Sequence, residues 1–592
     1  MGHSTSRRPR FHFTANSWIN DPCAPGYDPN TKTYHLFYQC NPSGCEWGNM
    51  SWGHIVSQDM LCWTPADPSP ALLPDQAYDA QGVFTGCWIP PANESDGTLR
   101  VAYSSVRQLP FHWSTPPYPR SAAGLAIALS RDGGKTWTKS ARNPVVAGEP
   151  AGVAVTGFRD PFVTELPLIP CDAERRSSES GRGPVLYGLV SGGIQDRGPT
   201  VFLYEIRRDD PEEEWRCLGP LVDLPARFQP SPKWSGNYGV NWECANLVAL
   251  RAESEVRHFL ILGAEGDVEK DHVRSYERSV TAAAAPSRTV RAQLWMSGRL
   301  VASGDGGVRF QYEHGGYLDH GPYYAANSFT DPRTGRTIVY GWIPEEDLPL
   351  GAAAEKGWNG SLAVPREIFL LRIPRVVGAL RSSLRDISPF VLRPEPDGDT
   401  TTFTVLTLGV RPVAELAQLR EASHHQHSAT DIALPESNSI TRRGICHTRS
   451  TSWELAATVA IGAGCQDVGF HLRHNVDLST CTTVTFSAAT ETIVVDRHAS
   501  NTDPAVNKCP DAGPFTLLTT RDADGTESIE KLRIRILSDG DILEVFANDR
   551  FALATMVYSG SGQDLGGVTA FATGSAGSAV FETITVWDGL EL

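Results

Sequence analysis

The strongest constraint on the fold is a recurring hairpin signature: short β-branched and aromatic runs next to turns that an aspartate organises. The runs at 33–39 (Thr-Tyr-His-Leu-Phe-Tyr-Gln) and 336–342 (Arg-Thr-Ile-Val-Tyr-Gly-Trp) follow similar turns, Asp28-Pro29-Asn30-Thr31 and Asp331-Pro332-Arg333-Thr334. The proline presets the turn and the small polar residues close it. A second motif, Ser130-x-Asp132-x-Gly134-x-Thr136-Trp137, has the spacing of an Asp-box hairpin, with a degenerate echo at Ser57, Asp59 and Trp63. In such a turn the carboxylate fixes the backbone and the Trp pins the hairpin onto a neighbouring sheet. Its repetition suggests radially repeated blades, with a plain sandwich hairpin as the alternative; the turns do not give a blade number.

Helical spacing is scarce. The stretch 413–421 places Val413, Leu416 and Ala417 on one face. It lies between a Pro-rich segment (389–399) and a polar run (424–430), and reads as a linker carrying one short helix. Beyond it, alternating segments at 531–537, 541–547 and 583–587 read as half-exposed strands, for which two packed antiparallel sheets are the simplest home. At 592 residues the chain is too long for one ordinary core. The expected class is all-β, with a propeller over residues 1–400, a linker over 401–424 and a β-sandwich over 425–592.

Charge narrows the partners. Lys and Arg total 52 against 68 Asp and Glu, a net charge of -16. An acidic surface repels phosphate backbones and anionic lipid, so neither nucleic acid nor membrane is an expected partner, and a neutral or cationic small molecule is. No run approaches the roughly 18 apolar residues of a membrane span. The 12 cysteines include no CxxC pair, and Cys40, Cys62 and Cys87 lie in apolar strand-like runs as small hydrophobes. Neither a metal nor a cofactor is expected. The expected location is the cytoplasm, or outside the cell if a leader has been removed, and a homodimer is left open.

Three carboxylates stand among aromatic or apolar neighbours: Asp21 in Trp-Ile-Asn-Asp-Pro, Asp160 in Phe-Arg-Asp-Pro-Phe, and Glu243 in Asn-Trp-Glu-Cys-Ala. An ionised carboxylate there is costly unless it is paired or hydrogen-bonded. From the residues alone two readings stand level: structural (an Asp-Pro turn, an Arg159–Asp160 ion pair, a satisfied strand Glu) and catalytic.

The ordered set resembles glycoside hydrolase family 32, the invertase, inulinase and fructan-enzyme family. Those three blocks are joined by 34–39 (Tyr-His-Leu-Phe-Tyr-Gln), 47–54 (Trp-Gly-Asn-Met-Ser-Trp-Gly-His), 84–86 (Phe-Thr-Gly), 357–361 (Gly-Trp-Asn-Gly-Ser), 365–367 (Pro-Arg-Glu) and 544–548 (Glu-Val-Phe-Ala-Asn). The resemblance implies a five-bladed propeller followed by a β-sandwich, and a retaining cleavage of fructosides such as sucrose. It makes Asp21 the nucleophile, Asp160 the transition-state stabiliser and Glu243 the general acid/base. A retaining pair stands only about 5–5.5 Å apart, and burial beside Trp242 with Asp21 nearby is expected to raise the pKa of Glu243.

Around these carboxylates, Asn20, Gln39, Thr85 and Arg159 are expected to bind sugar hydroxyls, with Trp47 and Phe84 walling the pocket. Trp52 is divided between wall and core, and Glu345 and Glu346 read as a loop pair. One departure is informative. Many family members carry Asn-Gly after the Asp-Pro, whereas Cys23-Ala24 follow here. That variant resembles the filamentous-fungal members that transfer fructose to a second sucrose, so transfructosylation is expected beside hydrolysis. The rivals are a dedicated sucrose fructosyltransferase, a pentoside-cleaving propeller, and a carbohydrate-binding propeller without activity.

Overall fold

Alternating β-branched and apolar residues drive nearly every ordered segment into antiparallel strands. The computed structural model describes residues 7–67, 69–91, 96–165, 185–266, 285–302, 307–349, 351–397, 400–435, 440–559 and 565–592. The first four sheets are four-stranded meanders, opening with Trp18–Asp28, Gly82–Ile89, Val155–Thr164 and Asn241–Ala252. A fifth sheet opens with Tyr324–Thr330 and continues through Thr337–Ile343, Arg366–Ala379, Thr400–Pro412 and Val391–Asp397. Each opening strand packs against the opening strand of the next sheet, and Tyr324–Thr330 also packs against Trp18–Asp28.

Polar rivets join these sheets. Asn246 in the fourth sheet donates to the carbonyl of Ala326 in the fifth (3.0 Å), and Asn327 donates to Gly86 in the second (2.8 Å) and Pro22 in the first (3.2 Å). Ser104 accepts from the Asp160 amide (2.6 Å) and Ser191 from the Ala245 amide (2.8 Å). Buried backbone groups left unpaired where strands splay are thereby satisfied.

The aspartate turns behave as the sequence predicts. Asp28 accepts from the Asn30 amide and the Thr31 hydroxyl, and Asp331 from the Arg333 amide and the Thr334 hydroxyl, all within 3.0 Å. In the Asp-box, Asp132 accepts from Ser130 and Thr136, and the Trp137 ring meets Phe37 of the first sheet edge-on at 5.1 Å. The echo works the same way: Asp59 accepts from Ser57 and the Leu61 amide, while Trp63 meets Tyr340 of the fifth sheet at 6.0 Å.

Two six-stranded sheets follow, ordered His425–Leu434, Ala579–Asp588, Trp453–Ile461, Leu532–Asp539, Ile542–Ala547, Phe551–Met556 and Thr441–His447, Gly567–Gly574, Cys465–His474, Thr482–Ser487, Thr492–Asp496, Asp511–Pro514. Leu455, Ile536 and Ile584 from one meet Val468, Phe470 and Val484 from the other in a shared core. The stretch 401–412, expected within the linker, is instead most of the strand Thr400–Pro412, paired along Arg366–Ala379. The Thr-Phe-Thr-Val-Leu-Thr-Leu run has the β-branched content for it. The expected short helix is a 3₁₀ helix, Ala414–Arg420, burying Leu416 and Leu419. Among the described residues no helix is long and apolar enough to cross a membrane.

Candidate active site

Several of the candidate residues sit where the opening strands lose register. Pairing skips between Ile19 and Pro22, between Val83 and Gly86, from Arg159 to Pro161, between Glu243 and Asn246, and between Tyr324 and Asn327. A bulge frees a residue from the ladder and re-aims its side chain. Asp21, Thr85, Asp160 and Cys244 lie at those points, and Asp160 and Cys244 adopt left-handed backbone at φ 60° and 48°. Such strain costs about 1–3 kcal/mol per residue and persists where the surroundings hold it.

Asp21 accepts from Asn20 (3.0 Å), Gln39 (3.3 Å) and, through a short contact, the Thr85 hydroxyl. Gln39 in turn donates to Thr85, and the Trp18 indole holds Asn20 at 2.9 Å. The Cys244 thiol reaches Asp21 at 3.5 Å and Asp160 at 3.6 Å, and its amide donates to Asp160 at 3.2 Å. Burial and the two carboxylates push that thiol well up, so it stays protonated and donates. One residue earlier on the same strand, Glu243 accepts from Arg159 at 2.5 and 3.1 Å and from the Tyr324 hydroxyl at 2.7 Å. Asp21, Asp160 and Glu243, from three sheets, therefore come together in one cluster.

The wall residues are also there. Trp47, 53% exposed, meets Phe84 edge-on at 6.2 Å, and Phe84 meets Phe111 at 6.2 Å. Phe111 lies under the Arg159 guanidinium at 5.7 Å. Trp52 is fully buried between Phe37 and Tyr103 and belongs to the core. Glu345 is buried among Lys356, Tyr558 and the Gly360 amide. Glu346 holds Arg291 at 3.0 Å, and Arg291 lies 5.0 Å over Tyr324.

Comparison with known proteins gives the family. The model of the glycosyl hydrolases family 32 N-terminal domain matches residues 12–166 and 226–376, and that of the family 32 C-terminal domain matches 415–588. The chain belongs to glycosyl hydrolase family 32. It is similar in structure to an Aspergillus kawachii β-fructofuranosidase complexed with glycerol, at TM-score 0.84 and 26% identity, over 100% of this chain and 96% of that one. It is likewise similar to a fructosyltransferase from A. japonicus, at TM-score 0.83 and 25% identity, over 99% and 95%. A β-fructofuranosidase, insoluble isoenzyme 2, of Oryza sativa subsp. indica is 29% identical over 371 residues, 61% of this chain and 53% of that protein. The chain thus matches about half the length of that plant relative.

The electrostatics of this family 32 pocket differ from expectation at one residue. Burial and then Glu243 push Asp21 above its usual range, against the pull of Thr85, Asn20 and Cys244. Asp160 is pushed up to about 7, by burial first and by Glu243 and Asp21, although Arg159 opposes. Glu243 was expected to rise as well. Burial does push it up, but the Arg159 guanidinium and the Tyr324 hydroxyl outweigh burial and hold it below the ordinary value. Arg159, expected beside Asp160, is 3.8 Å from that carboxylate and spends its short contacts on Glu243 and on Glu265 (3.2 Å).

Sequence reasoning missed Glu265, Tyr324, Cys244 as a donor, and Phe111. Glu265 ends the strand Glu255–Glu265 and pairs in register with Asn241, two residues before Glu243. Only the fold brings it to the site, because 259–265 (Phe-Leu-Ile-Leu-Gly-Ala-Glu) carries no local cue.

Proposed function

We infer that the protein is a retaining β-fructofuranosidase that cleaves sucrose and related fructosides and also transfers fructose to sugar acceptors. The observation that carries this reading is the single pocket in which the Cys244 thiol bridges Asp21 and Asp160 while the adjacent Glu243 faces Arg159 and Tyr324. Asp21, presented by four donors, attacks the anomeric carbon of the fructosyl unit. Glu243 protonates the departing oxygen, then as carboxylate activates the incoming water or sugar hydroxyl. Asp160 holds the fructosyl ring and complements the oxocarbenium charge. The ring of packed opening strands supports a five-bladed propeller over residues 1–400 with the pocket on its axis. The two six-stranded sheets support a sandwich over 425–592.

Transfer is supported by Cys23-Ala24 after the Asp-Pro and by the similarity to the A. japonicus fructosyltransferase. Hydrolysis and transfer share the fructosyl-enzyme, so the exposed Trp47 beside Phe84 favours whichever acceptor stacks there. Incubation with concentrated sucrose, with free glucose and free fructose measured separately, tests both halves. Glucose in excess of fructose is expected. Equal amounts contradict transfer, and no glucose contradicts the activity.

A further inference from the structure

We propose that Glu265 is a positioning residue for the reaction inferred above: it is the second carboxylate that lets Arg159 release Glu243, so that Glu243 can carry the proton the leaving group needs. The proposal rests on that reaction and deepens it. A general acid must be protonated when substrate arrives, yet Glu243 takes two N–H contacts from Arg159, a partner that favours the ionised form. If Arg159 had no other anion within reach, protonating Glu243 would strand a buried guanidinium. The same Nη2 that lies 2.5 Å from Glu243 Oε1 is also 3.2 Å from Glu265 Oε2. A small rotation of one side chain exchanges the partners.

Glu265 is built to wait. It is buried, and its Oε2 also accepts from the Asn241 amide at 2.9 Å, with Asn241 itself held by the Thr156 hydroxyl at 3.0 Å. Burial first, and then Glu243, push its carboxyl up to about 8. Burial and mutual repulsion favour one shared proton on the pair, and Arg159, closer to Glu243 than to Glu265, favours it on Glu265. When Arg159 moves to Glu265, that carboxyl gives up its proton and Glu243 gains one, so the pair's charge is unchanged. The other charged or titratable groups facing the pair are Arg291 of the strand Arg291–Ala302, Tyr324 of the fifth sheet, His112 after the strand Leu99–Val106, and Asp160 and Asp21. Arg291 is committed to Glu346 at 3.0 Å, and Tyr324 donates to Glu243. Besides Glu243, Arg159 has two carboxylates in range among the described residues, Asp160 at 3.8 Å and Glu265 at 3.2 Å, and Asp160 already accepts from the Cys244 amide and thiol.

The test is the pH profile of kcat/KM for Glu265→Gln and Glu265→Asp beside the unaltered enzyme, on sucrose and on fructosyl fluoride, whose leaving group needs no proton. With Glu265→Gln, Arg159 stays on Glu243. The basic limb on sucrose then moves to lower pH by about one unit or more, while turnover of the fluoride stays within a few-fold. Glu265→Asp, which keeps the charge, restores the limb towards its original position. An unmoved limb, or equal losses on both substrates, overturns the proposal and leaves the proposed function intact. An unaltered enzyme that turns over neither substrate sinks the proposed function instead. If Glu265→Gln does not fold, Asn241→Ala decides, since it removes the amide that holds Glu265: a basic limb moved to lower pH on sucrose with the fluoride little affected is expected, and an unmoved limb overturns the proposal.

Discussion

The nucleophile role proposed for Asp21 needs an ionisable carboxylate, and its environment pulls both ways. Burial resists ionisation, and the Thr85, Asn20, Gln39 and Cys244 donors restore it. Thr85→Val removes one donor to a charged acceptor, worth about 1.5–3 kcal/mol. The acid limb of the kcat/KM profile then shifts to higher pH, with activity below that limb down roughly tenfold or more. A limb that stays in place contradicts the role given to Thr85. Glu243→Gln keeps the Tyr324 and Arg159 geometry but cannot donate a proton to an alkoxide. Sucrose cleavage should fall by about 10²–10⁴ while fructosyl fluoride is still turned over, and stopped-flow or steady-state rates on the two substrates read the difference directly. The positions of the three candidate carboxylates were legible because aromatic, apolar and proline neighbours mark them, while their roles came only with the resemblance to family 32. Their proton affinities were not, since the partner that lowers Glu243 comes from another sheet.

At the scale of elements, the junction between the two halves is an ionic lock. Arg366 places its guanidinium 2.9 Å from Asp319 and 2.6 Å from Glu544, with no side-chain exposure at any of the three. His12 sits between Asp539 and Glu544 at 2.9 Å each, equally buried. The Pro-Arg-Glu and Glu-Val-Phe-Ala-Asn blocks, far apart in the chain, thus meet through Arg366 and Glu544. Glu544→Ala leaves two buried cations short of a partner, and should lower the unfolding free energy by about 3–5 kcal/mol in urea titrations. A change below 1 kcal/mol would show that the lock contributes little.

The same lock gives a pH signature. Burial opposes a charged His12, but hydrogen bonds from its ring to Asp539 and Glu544 raise it from 6.5 to about 9. A folded pKa above the unfolded one stabilises fully below pH 6.5, and this contribution is lost as pH rises through 9. The unaltered protein should therefore lose roughly 3 kcal/mol across that window, read as a falling Tm. His12→Gln should lack this part of the slope; an identical slope in both proteins contradicts the assignment.

Across the whole molecule, the hairpin turns were easier to read from the sequence than the ends of the strands. Asp28, Asp132 and Asp331 organise their turns as their local sequences imply, and Trp63 and Trp137 each pin one sheet onto its neighbour. Local chemistry of this kind is complete within a few residues, so it can be read without coordinates. The stretch 401–412 misled because a preceding proline-rich segment resembles a linker, while its strand partner, Arg366–Ala379, lies some thirty residues earlier. The second half is also tied in covalently distant ways: Leu518–Arg521 adds to the end of that same long strand. Glu265 was invisible for a similar reason, since only strand register carries it to Asn241. The central step of the proposed reaction is covalent capture of the sugar by Asp21. The most direct measurement is peptide mass mapping of Glu243→Gln after reaction with fructosyl fluoride and an acid quench. One fructosyl unit on the peptide carrying Asp21 is expected; an adduct on Asp160, or turnover of the fluoride with no adduct on Asp21, would contradict the nucleophile role of Asp21.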